Sequence, residues 1–571
     1  MSIFPDVVIN VKDRSKFMSA VVDIDKIFVV IGEFEYGEDN FVFLDNKDDF
    51  EKYFGSFEKC KSKTNYYLIS NLLNYVPVYV ANVLPVGAKY KAVKVGSTFS
   101  EILLDNKEYN FNVRDAMEKE NNKTFKYTFN KDYLLNSVKF YYTYNNENKV
   151  CYYDGSNFVG DNVDSVDIDG NEVVINFVEE NDNNNVEISF VEKVSFIIVS
   201  KVKGKFSDGL SISIEKDNSN EYRFTLKVYY KSNLVEVFNL SKKVDDVDGF
   251  GNNLYLSQVN DRSDYINVID NINYLGVYEG NYVFTEYGNY SVSVSDYIRV
   301  INKLENIDNW DVFVGGGLVE VLNKAEYTSV VNTVSGICSK KYGFAFFDTY
   351  GDEVEDIEMF LAGIGNNMRI SFYAPSGVVN YNGVNIRGSA SCEAAIYYAM
   401  NCASGNVYVP PVGVGNKVRY VRINKYYNEE ERKRLSDKYV NVVKYFKSYG
   451  NIIYDNVTYQ GFDSETSFIN CVLCLNDMIK TFKNLLPVIN FNLINEYLFY
   501  RLNSLINDVM RQLVEKDGGI EDNYIIKFNS LTDAKERKVV DVNVVFTFQG
   551  FVKRVNLTLT YTTQSVIASL R

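Results

Sequence analysis

The chain has 571 residues, with 60 Lys and Arg, 75 Asp and Glu and no histidine, so its net charge is −15 at pH 7. This acidic balance argues against nucleic acid as a partner, because phosphate binding needs clustered Lys and Arg. The missing histidine excludes Ser-His and Cys-His nucleophile pairs and metal sites ligated by His.

The hydrophobic content of 46% suffices for ordinary cores, and no long uncharged apolar run indicates a membrane span. The N-terminus lacks a basic segment followed by an apolar one, so we expect no signal peptide. The seven scattered Cys indicate reduced, mostly buried thiols in a protein made in a cytoplasm. At about 150 residues per domain, the length predicts three to four domains.

The N-terminal part of the chain predicts a terminal strand followed by an α/β segment. Behind Phe4-Pro5, an apolar stretch predicts the strand with Val7, Val8, Ile9 and Val11. The next elements are strands at residues 27–32, 41–44 and 78–83 and helices at residues 47–55 and 66–75. This alternation of strand and helix is typical of an α/β fold.

The middle of the chain predicts β structure. From about residue 87 to 194, short alternating strands such as Phe125-Tyr127-Phe129 are separated by Asn, Asp and Gly turns. This pattern predicts an all-β module, a sandwich or a small barrel. The β character continues to about residue 240, and an α/β pattern resumes near residue 297, with strands at 344–348 and 370–375 and a helix at 392–400.

The C-terminal region predicts three helices followed by strands. The first helix begins at an N-cap at Asn428, completed by Glu431, and is expected to continue through an apolar stripe to Gly450. The stripe consists of Leu435, Tyr439, Val442 and Phe446. The second helix is predicted at residues 468–484 and the third at 494–515. A strand then alternates through Val540, Val542, Val544, Phe546 and Phe548.

The last predicted strand lies almost at the C-terminus and has a strict period of two. Its apolar positions are Val555, Leu557, Leu559 and Tyr561, and they alternate with Asn and Thr. Such alternation indicates a half-buried strand. The pattern fits a strand that completes the chain's own sheet as well as one that pairs with a neighbouring subunit.

No motif predicts a catalytic, cofactor or metal site. Cys471 and Cys474 form a lone C-x-x-C inside a predicted helix, where core packing is favoured over zinc. The acidic stretch around Asp167 has its glycine at the wrong place for a calcium loop and predicts a β-turn. The glycines at 315–317 and 363–365 are too short for a dinucleotide fingerprint.

Several segments, in order, resemble the sheath proteins of contractile tails, which occur in myophages and in contractile injection particles. Residues 4–9 are similar to the family's opening Pro-Gly-Val-Tyr-Ile strand, with Asp6 in place of glycine. Residues 203–212 resemble its Pro-Gly-x-Trp-Gly-Asn-x-Leu block, and residues 409–413 resemble its Pro-Pro-Ser-Gly turn. The late helices and terminal strands match in order. The Trp-Gly-Asn and a later Trp-Gly-Ala-Arg-Thr strand are altered in this chain.

The resemblance implies a multidomain α/β and α+β fold. Its parts are a central subtilisin-like α/β sheath domain, an inserted all-β sandwich or barrel module and a C-terminal α+β domain with extended, strand-forming terminal arms. The expected boundaries are an N-terminal arm at 1–25, the first part of the α/β core at 26–86, the β-rich insertion at 87–194, a β-sandwich continuation at 195–298, the subtilisin-like domain at 299–424, the C-terminal domain at 425–550 and the C-terminal arm at 551–571.

The resemblance implies a structural tail sheath subunit, not an enzyme, with no cofactor. Identical subunits would polymerise helically around an inner tail tube and contract from a metastable extended state to drive the tube through a host envelope. Expected partners are the chain itself, the tube protein, the baseplate and the tail terminator, without membrane insertion. The particle would be assembled in the host cytoplasm and reside in the virion.

The same resemblance implies roles for particular residues. The two terminal strands named above, from Val7 to Val11 and from Val555 to Tyr561, would be arms that pair with neighbouring subunits. We hypothesise that the third late helix faces the inner tube, with Arg501, Arg511 and Lys516; a solvated face is the alternative. Rival functions are another self-assembling virion protein, such as a baseplate or fibre subunit, and a glycan-binding adhesin. The host, the particle type and the role of the β-module stay open.

Overall fold

A computed structural model describes residues 26–180, 185–288, 291–485 and 492–550. The chain divides into two compact units. The first contains the described residues up to Phe34, then Asp39–Val83 and those from Ser293 onward. The second contains Glu35–Glu38 and Leu84–Val292, and is therefore inserted into the sequence of the first. The finer division into seven segments stays a prediction.

The first unit is built on an eight-stranded sheet. Its strands lie in the order Val42–Leu44, Val78–Asn82, Phe28–Gly32, Val312–Val314, Phe344–Asp348, Ile370–Ala374, Val440–Phe446 and Gly450–Ile453. All neighbours from the second to the seventh position run parallel, and the outermost pair at each edge runs antiparallel. The order reverses beside Phe28–Gly32, which makes this a doubly wound sheet.

The central strands are short apolar runs that are buried along their whole length, as expected for parallel strands covered on both faces. The longer helices of the unit span Lys47–Phe54, Lys63–Leu72, Val294–Asn302, Lys324–Lys341, Val354–Leu361, Ala390–Ala403, Glu429–Asp437, Ile469–Leu485, Glu496–Val514 and Leu531–Arg537. A three-stranded sheet pairs Gly377–Tyr381 with Val384–Gly388 and Arg422–Ile423. These elements confirm the α/β segments that were predicted before and after the second unit in the sequence.

The first late helix is shorter than its sequence pattern predicts. The capping box of Asn428 and Glu431 is present, but the helix ends at Asp437. Tyr439 adopts a left-handed backbone with φ of 56°, and Val440–Phe446 forms a strand of the parallel sheet. The prediction of one helix to Gly450 was therefore wrong. The β-branched run of three valines at 440–443 favours a strand, and burial in the sheet decides for it.

The second unit consists almost entirely of antiparallel sheets, with a short helix at Val259–Arg262. One sheet orders Ile266–Asp270, Phe196–Ser200, Tyr90–Val95 and Phe99–Leu104; another orders Asn233–Ser241, Arg223–Tyr230, Leu210–Lys216 and Gly280–Val283. These two sheets share one hydrophobic core. The β character predicted for this part of the chain is confirmed.

The β-rich insertion is a sandwich of two sheets around a common core. Its five-stranded sheet orders Phe158–Val159, Glu147–Tyr153, Lys139–Tyr144, Val186–Val191 and Asn112–Ala116; its four-stranded sheet orders Val163–Asp169, Glu172–Phe177, Thr124–Thr128 and Glu118–Lys119. The acidic stretch around Asp167 lies in a hairpin that turns at Gly170, where φ is 61°, as the β-turn reading predicts. Of the sandwich and barrel alternatives, the described strands form the sandwich.

Candidate assembly interface

The last described strands form a two-stranded ribbon, called here the terminal ribbon, from Ile525–Phe528 and Val542–Val545. The strands run antiparallel, with Ile525 opposite Val545 and Phe528 opposite Val542. The pairing resumes further along, where Ile520 bridges Phe548. Among the residues that the structure describes, each strand of the ribbon pairs on one side only. Its outer edges thus present unpaired backbone groups, which is the template for adding another strand.

The ribbon has one packed face and one open face. The alternating set Val540, Val542, Val544, Phe546 and Phe548 packs against the main hydrophobic core of the unit, as the period of two predicts. The opposite face exposes about half of the side chains of Ile525 and Val545, each 51% exposed. A strand added at either edge would continue a sheet whose inner face is already seated on the core.

The predicted arms flank this ribbon in the sequence. The C-terminal arm with Val555, Leu557, Leu559 and Tyr561 follows the last described residue, Gly550, and lies outside the described residues. The N-terminal arm with Val7, Val8, Ile9 and Val11 precedes Lys26 and likewise lies outside them. The pairing of these arms stays a prediction, and only their points of attachment can be described.

The N-terminal arm is attached at a buried ionic cluster. Lys26 Nζ lies 2.6 Å from Asp477 Oδ1 and 4.0 Å from Asp311 Oδ1. Lys480 donates to Asp311 at 2.6 Å, and the Tyr408 hydroxyl donates to Asp477 at 2.8 Å. Burial alone would lower the pKa of Lys26, but the two carboxylates raise it above its ordinary value, so the ammonium stays charged. Sequence patterns gave no signal for this cluster.

The C-terminal arm is attached at the end of the third late helix, through Gln549. Its side-chain oxygen accepts from Gly518 N at 2.9 Å, and its side-chain nitrogen donates to Val514 O and Ile520 O at 3.4 and 3.3 Å. Its backbone N–H donates to Gly519 O at 3.0 Å. A Cβ on Gly519 would lie 2.0 Å from a backbone oxygen, so this close approach requires glycine.

The cations proposed to face the tube are not equivalent. Arg511 is exposed on the third late helix, whereas Arg501 is half-buried and its Nε is buried without a hydrogen-bond partner among the described residues. Lys516 is half-buried and lies beyond the helix, which ends at Val514. The most exposed large hydrophobic side chain of the helix is Tyr500, at 75%. Tyr500 was not singled out from the sequence, although the helical period places it opposite the apolar stripe.

The point at which doubly wound proteins bind ligands is filled in this fold. Ligands usually bind beyond the carboxyl ends of the strands where the strand order reverses. Here that point follows Phe28–Gly32 and Val312–Val314. Asn65 donates to Ile31 O at 2.7 Å, and a Cβ on Gly317 would lie 1.9 Å from Asn65 Oδ1. The backbone at Gly317 therefore packs directly on Asn65.

The next strand end holds a buried ion pair. Asp348 is 2% exposed and accepts from Arg387 at 2.7 Å and from the backbone N–H of Ser391 at 3.0 Å. Burial alone would lower the pKa of Arg387, but Asp348 raises it. The hydroxyls of Ser389 and Ser391 lie 3.1 Å apart, and a Cβ on Gly316 would lie 1.9 Å from Ser391 Oγ. Asp348 bonds the serine backbone and not its hydroxyl, so this is not a nucleophile-and-base arrangement.

Cys471 and Cys474 are buried in the second late helix, as core packing predicts. Within the described ranges, no group of three or more metal-ligating side chains is placed to hold an ion. None of the described helices combines the length and the hydropathy needed to cross a bilayer.

No protein-family model and no curated protein matches the sequence. Among solved structures, the sheath tail protein of Listeria innocua is similar, with a TM-score of 0.51 and 9% identity over 94% of each chain. The sheath tail protein of Desulfitobacterium hafniense aligns with a TM-score of 0.46 and 9% identity, over 92% of this chain and 98% of that one. The contracted sheath of an extracellular contractile injection system aligns with a TM-score of 0.39 and 17% identity, over 48% of this chain and 76% of that one. The Listeria likeness shows that this mixed α/β chain has the fold of a sheath tail protein.

Proposed function

We propose that the protein is the sheath subunit of a contractile tail or injection particle, which polymerises helically with itself around an inner tube. One observation carries the proposal. The terminal ribbon keeps two edges unpaired among the described residues, and the predicted C-terminal arm begins only a few residues after its last strand. Donation of a strand from each subunit to the next, without return, turns such a chain into an open, head-to-tail filament. The fold of the Listeria sheath tail protein supports this reading.

The role of the arms follows from backbone pairing. A strand added to the ribbon gains a full ladder of hydrogen bonds, and its alternating Val and Leu side chains can join the open face. Paired strands of this kind would keep neighbours connected while the globular bodies rotate and slide between two packings. A difference of the order of a few kcal/mol per subunit, summed over many subunits, would supply the work of contraction.

A structural role also accounts for the filled position beyond the carboxyl ends of the strands where the strand order reverses, called here the crevice. We assign the doubly wound sheet to the subtilisin-like domain of sheath proteins. Its conventional ligand position is occupied by Asn65, Gly316 and Gly317, and the chain contains no histidine to activate a serine. The packing supports a non-enzymatic protein in which the sheet serves as a rigid body.

Further partners follow from the same proposal. The third late helix faces the inner tube through its exposed side, which includes Arg511 and Tyr500. The ends of the polymer contact a baseplate and a tail terminator, and assembly takes place in the host cytoplasm before release in the virion. Reversing the charge of Arg511 should weaken co-sedimentation of the sheath with purified tubes. Unchanged binding would contradict the tube-facing assignment without touching self-assembly.

The central experiment is electron microscopy of the purified chain at several salt concentrations. The intact chain should form striated hollow tubes. Removing the residues after Arg554 should abolish the tubes and leave the unfolding midpoint of the body unchanged. As a control of equal length, the segment can be replaced by a Gly/Ser tail, which restores bulk but not the alternating side chains. Monomers alone from the intact chain, under every condition, would overturn the proposed function.

A further inference from the structure

We infer that the second and third late helices form a mechanical tie between the roots of the two arms, with Lys26 and Gln549 as the positioning residues that fasten them. The second late helix is Ile469–Leu485 and the third is Glu496–Val514. This inference rests on the proposed function, because it concerns how load passes through a subunit whose ends are held by neighbours. The contacts that it concerns are those of Lys26, the two helices and Gln549.

The fastening of the N-terminal root is ionic and buried. Lys26 is 3% exposed and bonds Asp477 on the second late helix at 2.6 Å. The same carboxylate accepts from Tyr408, so its orientation is set from two sides. Breaking a buried, hydrogen-bonded charge pair leaves an uncompensated charge in a low-dielectric interior. Such a pair therefore costs much more free energy to break than a surface pair. Load on the chain at Lys26 is therefore passed to the helix.

The fastening of the C-terminal root is a clamp of backbone and side chain. Gln549 makes four hydrogen bonds to the turn that ends the third late helix, with Val514, Gly518, Gly519 and Ile520. The side-chain nitrogen of Gln549 donates to both Val514 O and Ile520 O. The last described residue, Gly550, follows directly, so load on the C-terminal arm reaches this turn first.

The two helices are joined through apolar packing. They contact one another and belong to one hydrophobic core, with Cys474 and Met478 from the second helix and Leu498, Leu502 and Leu505 from the third. Packed helices are stiff along their axes because their backbone bonds run in that direction. The path from Lys26 through Asp477 and the helix pair to Gln549 thus runs beside the parallel sheet, whose strand Phe28–Gly32 begins two residues after Lys26.

Two contacts that lie in series along one load path predict a particular relation between the effects of single and double variants. If either contact is lost, the whole path is lost, so removing both should be no worse than removing one. Independent contacts would instead multiply their effects on the rate of subunit loss, as additive free energies do. The comparison of single and double variants therefore separates a tie from two unrelated stabilising contacts.

The experiment uses tubes assembled from the full chain and measures the rate of subunit release in dilute denaturant by sedimentation. Lys26→Met and Gln549→Met should each release subunits at least tenfold faster than the unaltered chain. The double variant should match the faster single variant. Lys433→Met, on the exposed side of the first late helix, serves as the matched control and should release at the unaltered rate.

Three outcomes decide the matter. If Lys26→Met fails to fold, the variant Lys26→Met/Asp477→Leu removes the whole charge pair and replaces it in the test. Rates equal to the Lys433→Met control, or a double variant whose effect is the product of the two, would overturn the tie while leaving the sheath function intact. Absence of tubes from the unaltered chain would overturn the proposed function and this inference together.

Discussion

The first unit has two places where strands could bind another group: the carboxyl ends of the parallel strands and the edges of the terminal ribbon. Its polar groups are satisfied differently at the two places. Beyond the parallel sheet, at the crevice, polar groups bond one another and glycine backbone packs on Asn65 and Ser391. At the terminal ribbon, two strands keep an unpaired edge each among the described residues. The difference supports the proposal that this fold binds its neighbours through backbone edges near its C-terminus and not at the pocket position of its sheet.

The largest expected effect tests the closed side of this comparison. Arg387→Met leaves the carboxylate of Asp348 buried without its partner, so we expect unfolding to become easier by about 3–5 kcal/mol. Denaturant unfolding monitored by circular dichroism measures the change. Adding Asp348→Asn should recover part of the loss, because the uncompensated charge is then gone.

The matched control for this variant is Lys340→Met. Lys340 pairs with Glu305 at 2.6 Å, but both side chains are exposed, so less than about 1 kcal/mol should be lost. Equal losses at Arg387 and Lys340 would contradict the view that the crevice is sealed by an interior ion pair.

A smaller effect concerns Glu320, in the glycine-containing turn that fills the crevice. Burial raises its pKa, although donors from Thr64 oppose this, so the folded state binds the proton more tightly than the unfolded state. Stability should therefore fall as pH rises from the ordinary pKa of a glutamate through the raised one. Glu320→Gln should lack this step and be the more stable protein at neutral pH. The check is the unfolding midpoint of both proteins from pH 4 to 8; parallel curves would contradict it.

The smallest effect on folding tests the open side. Val545 is half-exposed on the face of the ribbon that lies away from the core. Val545→Glu should change the unfolding free energy by no more than about 0.5 kcal/mol, yet it should reduce tube formation, because an added strand would have to seat beside the charge. Val159→Glu, on an equally exposed strand of the sandwich, is the control. Tubes unaffected by Val545→Glu would remove the ribbon from the interface.

Much of the fold could be predicted because local patterns agree with tertiary burial. The parallel strands read as apolar runs, the third late helix carries its stripe from Leu498 to Leu513, and the ribbon alternates from Val540 to Phe548. The strand at Val440–Phe446 was missed because its apolar residues also fit a helical period, and pairing with the neighbouring strands Ile370–Ala374 and Gly450–Ile453 selects the extended form.

The candidate interface could be predicted only in part. Alternation marks a strand, but it does not say which edge the strand joins, so the arms remain a proposal. The fasteners at Lys26 and Gln549 leave no pattern at all, because their partners lie 451 residues away in one case and in a glycine turn in the other. The closing of the crevice depends on distances to glycine backbone that composition cannot reveal.

The seven thiols give the chain a chemical durability that its assembly alone would not. All are free and at least partly buried, and burial raises the pKa of Cys60, Cys151 and Cys338 to about 12. Since the thiolate is the reactive form, these side chains are shielded from oxidation and exchange. The fold also owes nothing to disulfides, so it should be the same in a reducing cytoplasm and in an oxidising exterior. The sheath function that we propose would need this property, because its subunits would be assembled in a cytoplasm and act outside the cell.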